Sequence, residues 1–270
     1  MAKLKMFCIT MSPEHGELIK EVNYEPVGLG EKKFPKYFYT DKTGESITSK
    51  NPFYGEYTFH YWLWKNQIKN LDDSWIGFCQ YRKFWAFDEI FNKKINYQEL
   101  NNIILKDIPE NIDSYESILG EPLFVNQFRL SKFIKNNFIT MLKRPILFLD
   151  KRKRNIKFHF DMMHGKGNLD KAISLLDESE RDDFNTFVEN SVSFNPHNMF
   201  ICKSAKILNN YYSSVFPWLE RCEREFGFDL EGYNKIRMYT YLAERFLPYW
   251  FKKYTNPLEW PVFYYDINRQ

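Results

Sequence analysis

The sequence predicts an α/β fold in one domain with helical additions. Short apolar runs of strand length, such as KMFCITM at residues 5–11 and WIGFCQY at residues 75–81, alternate with stretches whose apolar residues recur at helical spacing. No internal repeat, low-complexity tract or clear linker interrupts the 270 residues, and a chain of this length can bury one continuous core. We therefore expect a single domain at residues 1–270.

The first two strands are predicted near the N-terminus. The run at residues 5–11 is followed by Ser12 and Pro13, which are typical loop residues, and YEPVGLG at residues 24–30 predicts a second strand. Ligands bind where the strands of an open α/β sheet end, so the loops after both runs are candidate nucleotide contacts. The single GLG is too common to predict a phosphate-binding loop, and an ordinary turn accounts for it equally well.

A long helix is predicted at residues 49–69. Asn51 can cap it and Pro52 suits its first turn. Four apolar residues fall on one face and are expected to be structural: Tyr57, Tyr61, Trp64 and Ile68. The strand at residues 75–81 then delivers Gln80, Tyr81, Arg82 and Lys83 to its C-terminal end, where α/β enzymes hold their substrates.

The second half of the chain alternates between the same two patterns. Helices are predicted at residues 97–105, 169–176, 181–190, 206–226 and 236–251, and strands at residues 115–125 and 192–202. Residues 127–160 fit neither pattern, and the basic run within them could be an insertion.

Charge and hydropathy limit the classes of partner. The net charge of +3 argues against nucleic acid as a partner. Residues 143–157, KRPILFLDKRKRNIK, concentrate positive charge and form either a solvated loop or a contact for anionic lipid or a phosphate-bearing acceptor. No stretch suits a signal peptide or a spanning helix. We therefore expect a cytoplasmic protein that could contact the inner face of the membrane through residues 143–157.

Cysteine and aromatic content add two further expectations. The four cysteines lie inside apolar runs without a CxxC pair, which is typical of reduced core residues. Aromatic residues reach 19% of the sequence, well above ordinary usage. An AT-rich coding sequence can produce this excess, and a surface that stacks on sugars or bases is the alternative.

Motifs of the common catalytic classes are missing from the sequence. It contains no GxSxG, GxxxxGK[ST] or HExxH pattern. The Asp-x-Asp pair that usually binds the metal of a sugar nucleotide is also missing, and adjacent Asp72 and Asp73 would point to opposite faces of an extended segment. We predict no metal site and no resident cofactor, although the sequence remains compatible with a divalent ion.

Positive charge can replace a metal at a diphosphate. Arg82 offers a planar fork for two phosphate oxygens and Lys83 a compact charge, so both could neutralise a diphosphate leaving group. The alternative is that they are surface residues paired with Asp88 or Glu89.

Histidines and carboxylates later in the chain are candidates for acid–base chemistry. His164, near Asp161, and His197 have loop-like neighbourhoods, although a lone histidine is more often a structural hydrogen bonder. Glu244 could act as a general base or be a solvated helix residue. Its neighbour Arg245 need not pair with it, because adjacent residues on a helix do not face each other.

Two long stretches resemble a known family. TDKTGESITSKNPFYGEYTFHYWLWKN at residues 40–66 and WIGFCQYRKFW at residues 75–85 resemble bacterial capsular polysaccharide and lipooligosaccharide glycosyltransferases, whose hallmark runs D-x-G-x-N-I-x-x-K-N, then E-L-T-x-x-Y-W-x-W-K-N, then I-G-x-x-H-Y-R-R. Weaker matches follow at residues 24–30, 159–170, 198–203 and 237–246. The resemblance implies a GT-A-like nucleotide-diphospho-sugar transferase fold, with a mixed central sheet flanked by helices.

Three features depart from that hallmark. Gln80 replaces the first His of the last motif and cannot carry a proton as His can. Lys83 replaces the second Arg, which keeps the charge but loses the bidentate fork. Glu45 and Ser46 stand where Asp and Asn are usual.

The residues and the resemblance together give a predicted site. The predicted catalytic residues are Glu244 as the first choice of base, Asp161 as the second, and Arg82 at the leaving diphosphate. A base is needed only if the reaction inverts the anomeric centre. The predicted donor-binding residues are Asp41, Lys50, Asn51, Lys65, Asn66, Gln80, Tyr81, Lys83 and Asn198. The predicted acceptor-binding residues are His164, His197 and Trp85.

The resemblance also implies the substrates. We expect a UDP-sugar as donor, and a saccharide or lipid-linked capsular or lipooligosaccharide glycan as acceptor. The reaction would be of the hexosyltransferase type and could proceed without metal. The alternative is a non-enzymatic glycan-binding or assembly protein of the same pathway, in which aromatic residues form a saccharide platform.

Overall fold

The protein divides into two compact units in a computed structural model that describes residues 2–71, 74–87, 97–127 and 150–268. Unit 1 comprises Met1–Glu121, His197–Ser214 and Phe251–Gln270, and unit 2 comprises Pro122–Pro196 and Val215–Trp250. The single domain at residues 1–270 stays a prediction. Three predicted features lie outside the described residues: the Asp72 and Asp73 pair, the carboxylates Asp88 and Glu89, and residues 143–149 of the basic segment.

Strands and helices alternate along the described chain. The strands are β1 (Ala2–Thr10), β2 (Glu25–Gly28), β3 (Tyr39–Thr40), β4 (Trp75–Gln80), β5 (Lys83–Trp85), β6 (Asp107–Ile108), β7 (Ser117–Gly120), β8 (Leu123–Phe124), β9 (Ser193–Phe194), β10 (Phe200–Cys202), β11 (Pro257–Trp260) and β12 (Val262–Tyr264). The helices are α1 (Gly16–Glu21), α2 (Asn51–Tyr54), α3 (Tyr57–Asn66), α4 (Tyr97–Ile103), α5 (Ile156–His164), α6 (Asn168–Ser174), α7 (Glu178–Asn190), α8 (Ala205–Phe226), α9 (Tyr233–Ile236) and α10 (Met238–Tyr254). Most predicted elements are therefore confirmed. The strand predicted at residues 115–125 is wrong as one element, because it forms β7 and β8, which belong to different sheets. Two further exceptions are described below.

Unit 1 is built on a mixed sheet. Its central strand order, within the described residues, is β11-β7-β10-β4-β1-β2-β3. Strand β1 runs parallel to β2 and β4, and β2 runs parallel to β3. Strand β10 is antiparallel to both of its neighbours, β4 and β7. This mixed central sheet confirms the predicted fold class.

The strand order reverses direction beside β1. From β1 the chain adds β2 and then β3 on one side, whereas β4 pairs with β1 on the other side. Strand β1 can occupy this central place because its second half is buried, with Phe7 and Cys8 fully inaccessible. In open α/β sheets, ligands bind outside the carboxyl ends of the strands at such a reversal. A ligand site is therefore expected at the carboxyl ends of β1 and β4.

The helix predicted at residues 49–69 is wrong as one continuous element. Gly55 separates α2 from α3 with φ 54° and ψ −131°, a conformation open only to glycine, and short 3₁₀ turns flank the pair. The predicted apolar face is also wrong in part. Tyr61 and Trp64 are only half-buried, whereas Phe59 and Leu63 are fully buried.

The strand predicted at residues 192–202 is likewise divided. It forms β9 and β10, which pair with β8 and with β4 and β7 respectively. Between them His197 and Asn198 have φ values of 80° and 53°. Left-handed backbone cannot continue a strand, which explains the break.

Unit 2 is mainly helical. Its core includes Phe184 and Trp218, whose rings lie 5.9 Å apart, and Phe246, which lies 5.4 Å from Phe184. The buried indole of Trp218 donates to the Ala172 carbonyl at 2.7 Å, so α6 is fixed by a satisfied polar contact as well as by packing.

Two further expectations concern the whole described chain. All four cysteines are buried and free, as predicted. Across the described helices, none combines the length and apolar character that a bilayer crossing requires.

Candidate active site

A tight hairpin turn lies at the carboxyl end of β4. Gln80 pairs with Lys83 across β4 and β5, so Tyr81 and Arg82 form the two-residue turn between the strands. The Tyr81 amide donates to the Ile9 carbonyl of β1 at 3.1 Å. The turn is thereby fixed against the strand that borders the reversal in the sheet.

A chain of hydrogen bonds supports this turn. The buried His15 ring accepts at Nδ1 from the Thr10 hydroxyl at 2.7 Å and donates from Nε2 to Asn268 Oδ1 at 2.7 Å. The amide oxygen can only accept, which fixes the proton on Nε2. The His15 ring stacks on Tyr81 with 4.9 Å between centroids. The aromatic base of the turn is therefore held in one orientation.

Arg82 projects from the turn with 45% of its side chain exposed. Its guanidinium lies 4.8 Å from the Tyr81 ring centroid, and its Nε lies 3.3 Å from Asp266 Oδ2. Asp266 also accepts from the Asn268 amide nitrogen at 3.0 Å. Only the arginine side of this pair is exposed, because the Asp266 side chain is 7% exposed. Arg82 is thus oriented by its neighbours yet remains accessible to an anionic ligand.

Lys83 and Gln80 converge on the left-handed residue His197. The Lys83 ammonium donates to His197 Nδ1 at 2.9 Å, and the Gln80 amide donates to the His197 carbonyl at 3.1 Å. Because an ammonium group can only donate, Nδ1 carries no proton in this contact. The structure therefore brings a predicted acceptor-binding residue together with two predicted donor-binding residues.

Asn198 continues the same left-handed segment. It is buried, and its amide donates to Glu56 Oε1 at 2.9 Å, ahead of α3. Left-handed backbone at non-glycine residues costs on the order of 1–3 kcal/mol each and clusters at functional sites. The strain at His197 and Asn198 places this segment among the site candidates.

The loop at residues 41–48 is held by its own hydrogen bonds. The Asn66 side chain accepts from the Glu45 amide at 3.0 Å and donates to the Glu45 carbonyl at 2.8 Å. Gly44 has φ 64°, and a Cβ there would meet Asn66 Oδ1 at 2.0 Å. Ser46 and Thr48 donate their hydroxyls to the Asp41 carbonyl. Many of the polar side chains of this stretch therefore hold the shape of the loop.

Asp41 itself differs from the other polar residues of this loop. Its side chain is completely buried, and neither carboxylate oxygen has a hydrogen-bond partner among the described residues. A buried carboxylate without a partner is costly. Its predicted role in donor binding stays a prediction.

Three other predicted donor-binding residues make local contacts. Asn51 donates to the Gly55 carbonyl at 3.1 Å and bridges α2 to α3. Lys65 pairs with Glu45 at 3.4 Å and lies 4.2 Å from the Trp64 ring. Lys50 is half-buried in the 3₁₀ turn before α2.

Trp85 is located in the core and not at a surface. It is fully buried, and its indole donates to the Phe78 carbonyl at 3.0 Å. Contact with an acceptor glycan, predicted from the sequence, would require this core to open. Its observed role is to close the apolar layer behind the hairpin turn.

The two candidate bases lie in unit 2 and differ in their surroundings. Contrary to the sequence expectation, Glu244 pairs with its neighbour Arg245, which is 2% exposed and whose guanidinium lies 4.0 Å from the Phe194 ring. Asp161 is half-buried and accepts from the Gly167 amide at 3.1 Å. Burial raises the pKa of Asp161 above the usual aspartate value, with the Asp170 charge adding to the effect.

His164 and His159 are buried beside Arg245. His164 stacks on Tyr241 at 4.0 Å, and its Nδ1 donates to the Asn234 carbonyl at 2.8 Å. Burial, together with the charge of Arg245, lowers the pKa of His159 to about 3 and that of His164 to about 4. Both rings are therefore neutral at physiological pH, which leaves His164 a hydrogen bonder and not a cation.

Comparison with known proteins assigns the family. A family model described as a domain of unknown function, DUF4422, matches residues 8–256. The chain belongs to the DUF4422 family. A search of curated protein sequences gave no significant match. Among solved structures, the apo structure of the bifunctional glycosyltransferase WbbM is similar, with a TM-score of 0.68 and 19% sequence identity.

The WbbM match establishes the fold of this DUF4422 chain. It covers 97% of the chain described here but only 45% of the WbbM chain, so the chain spans less than half of that protein. The mixed α/β sheet and this match confirm the predicted GT-A-like fold. The hallmark motifs and the pathway named in the sequence comparison stay predictions.

The DUF4422 site contains residues that the sequence did not single out. His15, Asp266 and Asn268 orient the hairpin turn, and Glu56 holds Asn198. His15 could have been suspected, because it lies in the loop after the first predicted strand. No pattern marks residues 266–268. Among the described residues, no group of three or more His, Cys, Asp or Glu side chains is arranged to hold a metal ion.

Proposed function

We propose that this chain is a glycosyltransferase that moves a sugar from a nucleotide-diphosphate donor, expected to be a UDP-sugar, to a bacterial surface glycan. The observation that carries the proposal is the exposed Arg82 guanidinium at the carboxyl edge of the sheet, beside the reversal between β1 and β4. That edge is where open α/β sheets bind nucleotides. The GT-A-like fold supports the same conclusion.

Arg82 would stabilise the charge of the leaving group. When the bond between the anomeric carbon and the diphosphate oxygen breaks, the electron pair leaves with the nucleoside diphosphate. A guanidinium can bind two phosphate oxygens, and such charge-assisted hydrogen bonds contribute about 1.5–3 kcal/mol each. Asp266 contacts Arg82 at Nε, and 45% of the Arg82 side chain is exposed, so the other guanidinium N–H groups would be the ones to bind a diphosphate.

An inverting reaction also needs a base. The acceptor oxygen forms the new bond to the anomeric carbon, and the hydroxyl proton passes to a carboxylate. Asp161 suits this role better than Glu244, because Glu244 is already paired with the buried Arg245. Asp161 has a raised pKa and therefore a greater affinity for the proton. A retaining reaction would need neither carboxylate as a base.

Within the predicted donor site, residues divide by their contacts. Tyr81 and Lys83 lie at the turn with Arg82, and Gln80 supports it through His197. Asn51 and Asn66 shape the backbone and would act indirectly. The cytoplasmic location, the membrane contact of residues 143–157 and the capsular or lipooligosaccharide pathway remain parts of the proposal.

The test is nucleotide binding and donor turnover. Thermal shifts with UDP, GDP, CMP and dTDP, each with and without EDTA, identify the nucleotide, because a ligand that binds only the folded state raises its apparent stability. Release of nucleoside diphosphate from a panel of nucleotide sugars then measures turnover. We expect Arg82→Ala to reduce kcat by about 10²–10³, the effect of removing one transition-state donor.

Arg224→Ala is the matched control. Arg224 is also an exposed arginine in a single ion pair, with Glu220 at 2.6 Å and 73% of its side chain exposed. The Arg224→Ala protein should have the wild-type turnover rate. An Arg82→Ala protein as active as wild type would remove the leaving-group proposal. A wild-type protein that binds saccharides but no nucleotide would favour the glycan-binding alternative.

A further inference from the structure

A cavity of about 690 Å³ lies within unit 2. It is formed by α5, the loop at residues 165–167, the start of α6 and the end of α7. Its volume falls in the range of about 300–1,000 Å³ that is typical of small-molecule sites. The residues that carry its chemistry are Asn155, Lys157, Phe158, Asp161, Lys166 and Asn190.

The walls of the cavity are fixed by hydrogen bonds and ion pairs. The Lys157 ammonium contacts Asp170 at 2.6 Å and Glu189 at 2.8 Å, which ties α5 to α6 and α7. Asn155 caps α5 through the Phe158 amide at 2.8 Å and donates to the Glu189 carbonyl at 2.6 Å. These groups bind each other and so fix the shape of the cavity. A ligand would therefore form its hydrogen bonds with other side chains of the lining.

Other lining groups keep hydrogen-bonding capacity for a ligand. One oxygen of Asp161 accepts from the Gly167 amide, and the second has no hydrogen-bond partner among the described residues. Lys166 and Asn190 are exposed at the rim, and their side chains form no hydrogen bond with the part of the chain that the structure describes. Phe158 contributes a half-buried aromatic ring. The cavity thus offers an acceptor, donors, an amide and one apolar face.

We propose that this cavity is a saccharide-binding site of unit 2. Sugar hydroxyls both donate and accept, which matches a wall that mixes carboxylate, ammonium and amide groups. The CH face of a sugar ring suits contact with an aromatic ring such as Phe158. Charges of both signs line the cavity, since Lys153, Lys157 and Lys166 accompany Asp161, Asp170 and Glu189, so the lining has no net charge that favours a polyanion. An apolar ligand would cover the second Asp161 oxygen without giving it a partner.

The test measures saccharide binding in the absence of nucleotide. Ligand-observed NMR and calorimetry on the full chain would use methyl glycosides of glucose, galactose, N-acetylglucosamine and rhamnose, together with lactose and maltose. Asp161→Asn removes the carboxylate charge with little change of side-chain shape. Asn190→Trp places a large ring at the rim of the cavity. We expect each to weaken saccharide binding by about tenfold or more, the cost of one charge-assisted hydrogen bond or of an obstructed site.

Thr186→Trp is the control for Asn190→Trp. Thr186 is exposed on α7 one turn earlier and does not line the cavity. This variant should bind saccharide as wild type does. Binding that is unchanged in Asp161→Asn and Asn190→Trp would overturn the proposal, as would a wild-type protein that binds no member of the panel.

The two proposals fail in different ways. A wild-type protein that binds no saccharide of the panel but gives nucleotide thermal shifts and hydrolyses the donor would refute the saccharide site and leave the transferase proposal standing. A chain that binds saccharide in this cavity but neither binds nor hydrolyses nucleotide sugars would refute the transferase, while the saccharide-binding site would stand.

Discussion

Two arginines show how differently the two units use positive charge. Arg82 of unit 1 lies on a hairpin turn with 45% of its side chain exposed, whereas Arg245 of unit 2 is only 2% exposed and is paired with Glu244. Exposed ion pairs contribute about 0–1 kcal/mol, but breaking a buried pair costs about 3–5 kcal/mol. Arg82 keeps nearly half of its side chain accessible to a ligand, although its partner Asp266 is 7% exposed, while Arg245 is fixed in the fold.

The same contrast separates the two candidate bases. The charge of Glu244 compensates the buried Arg245 guanidinium, so Glu244 is needed for the stability of the fold. The fold does not need the charge of Asp161 in this way. The main contact of Asp161 is the hydrogen bond that it accepts from the Gly167 amide. A residue suited to catalysis here is one whose charge the fold does not already require.

Replacing Glu244 should give the largest effect on stability. In Glu244→Gln the Arg245 guanidinium would lose its charged partner inside the protein, and we expect the free energy of unfolding to fall by about 3–5 kcal/mol. Urea denaturation measures this change. The control is Glu220→Gln, which removes the partner of exposed Arg224 and should change stability by less than about 1 kcal/mol. If Glu244→Gln kept full stability and lost only activity, Glu244 would again be the better base.

Replacing Asp161 should affect the rate and leave stability intact. Its raised pKa means that the fold disfavours the ionised form, so Asp161→Asn should unfold at the same urea concentration as wild type or slightly higher. We expect kcat to fall by at least about 10² if Asp161 removes the acceptor proton. The wild-type rate should also decline on acidification at a higher pH than an ordinary aspartate would give, and the variant should lack this limb. A variant with wild-type kcat would point to a retaining reaction.

The sequence predicts the strands of the site well. The runs predicted at residues 5–11 and 75–81 correspond to β1 and β4 within a few residues, because continuous apolar segments of this length suit a strand buried on both faces. The position of Arg82 at a strand end follows directly from them. The sequence pattern was sufficient to predict those elements whose structure depends on contacts between residues close in sequence.

The sequence could not predict contacts made by tertiary structure. His15 and Asn268 are 253 residues apart, and their hydrogen bond depends on how β12 returns along β5. The break of the predicted helix depends on the conformation of Gly55, which sequence spacing does not reveal. Trp85 shows the opposite case. The sequence predicts that this aromatic residue contacts the acceptor, but the structure places it in the core.

Buried histidines make the stability of both units depend on pH. The pKa of His60 in unit 1 and of His159 in unit 2 is lowered to about 3, and that of His164 to about 4, mainly by burial. Between these values and 6.5, the unfolded chain binds more protons than the folded one, so stability is lost as pH falls through this window. The loss is at most about 1.4 kcal/mol per pH unit for each histidine. NMR titration of the imidazoles provides the measurement, and any of these three rings titrating near 6.5 would contradict the prediction.

The smallest expected effect is a test of the scaffold of unit 1. Asn66→Ala removes the side-chain hydrogen bonds to the Glu45 backbone and to the Trp62 carbonyl, and we expect a loss of about 1–2 kcal/mol in the free energy of unfolding. Asn70→Ala is the control, because Asn70 is an exposed amide with one weak contact to Gln67 at 3.4 Å. Hydrogen exchange of the Glu45 amide should accelerate only in Asn66→Ala. If donor binding fell while that exchange rate and the stability stayed at wild-type values, Asn66 would contact the donor directly, and the loop at residues 41–48 would be part of the binding surface as well as its support.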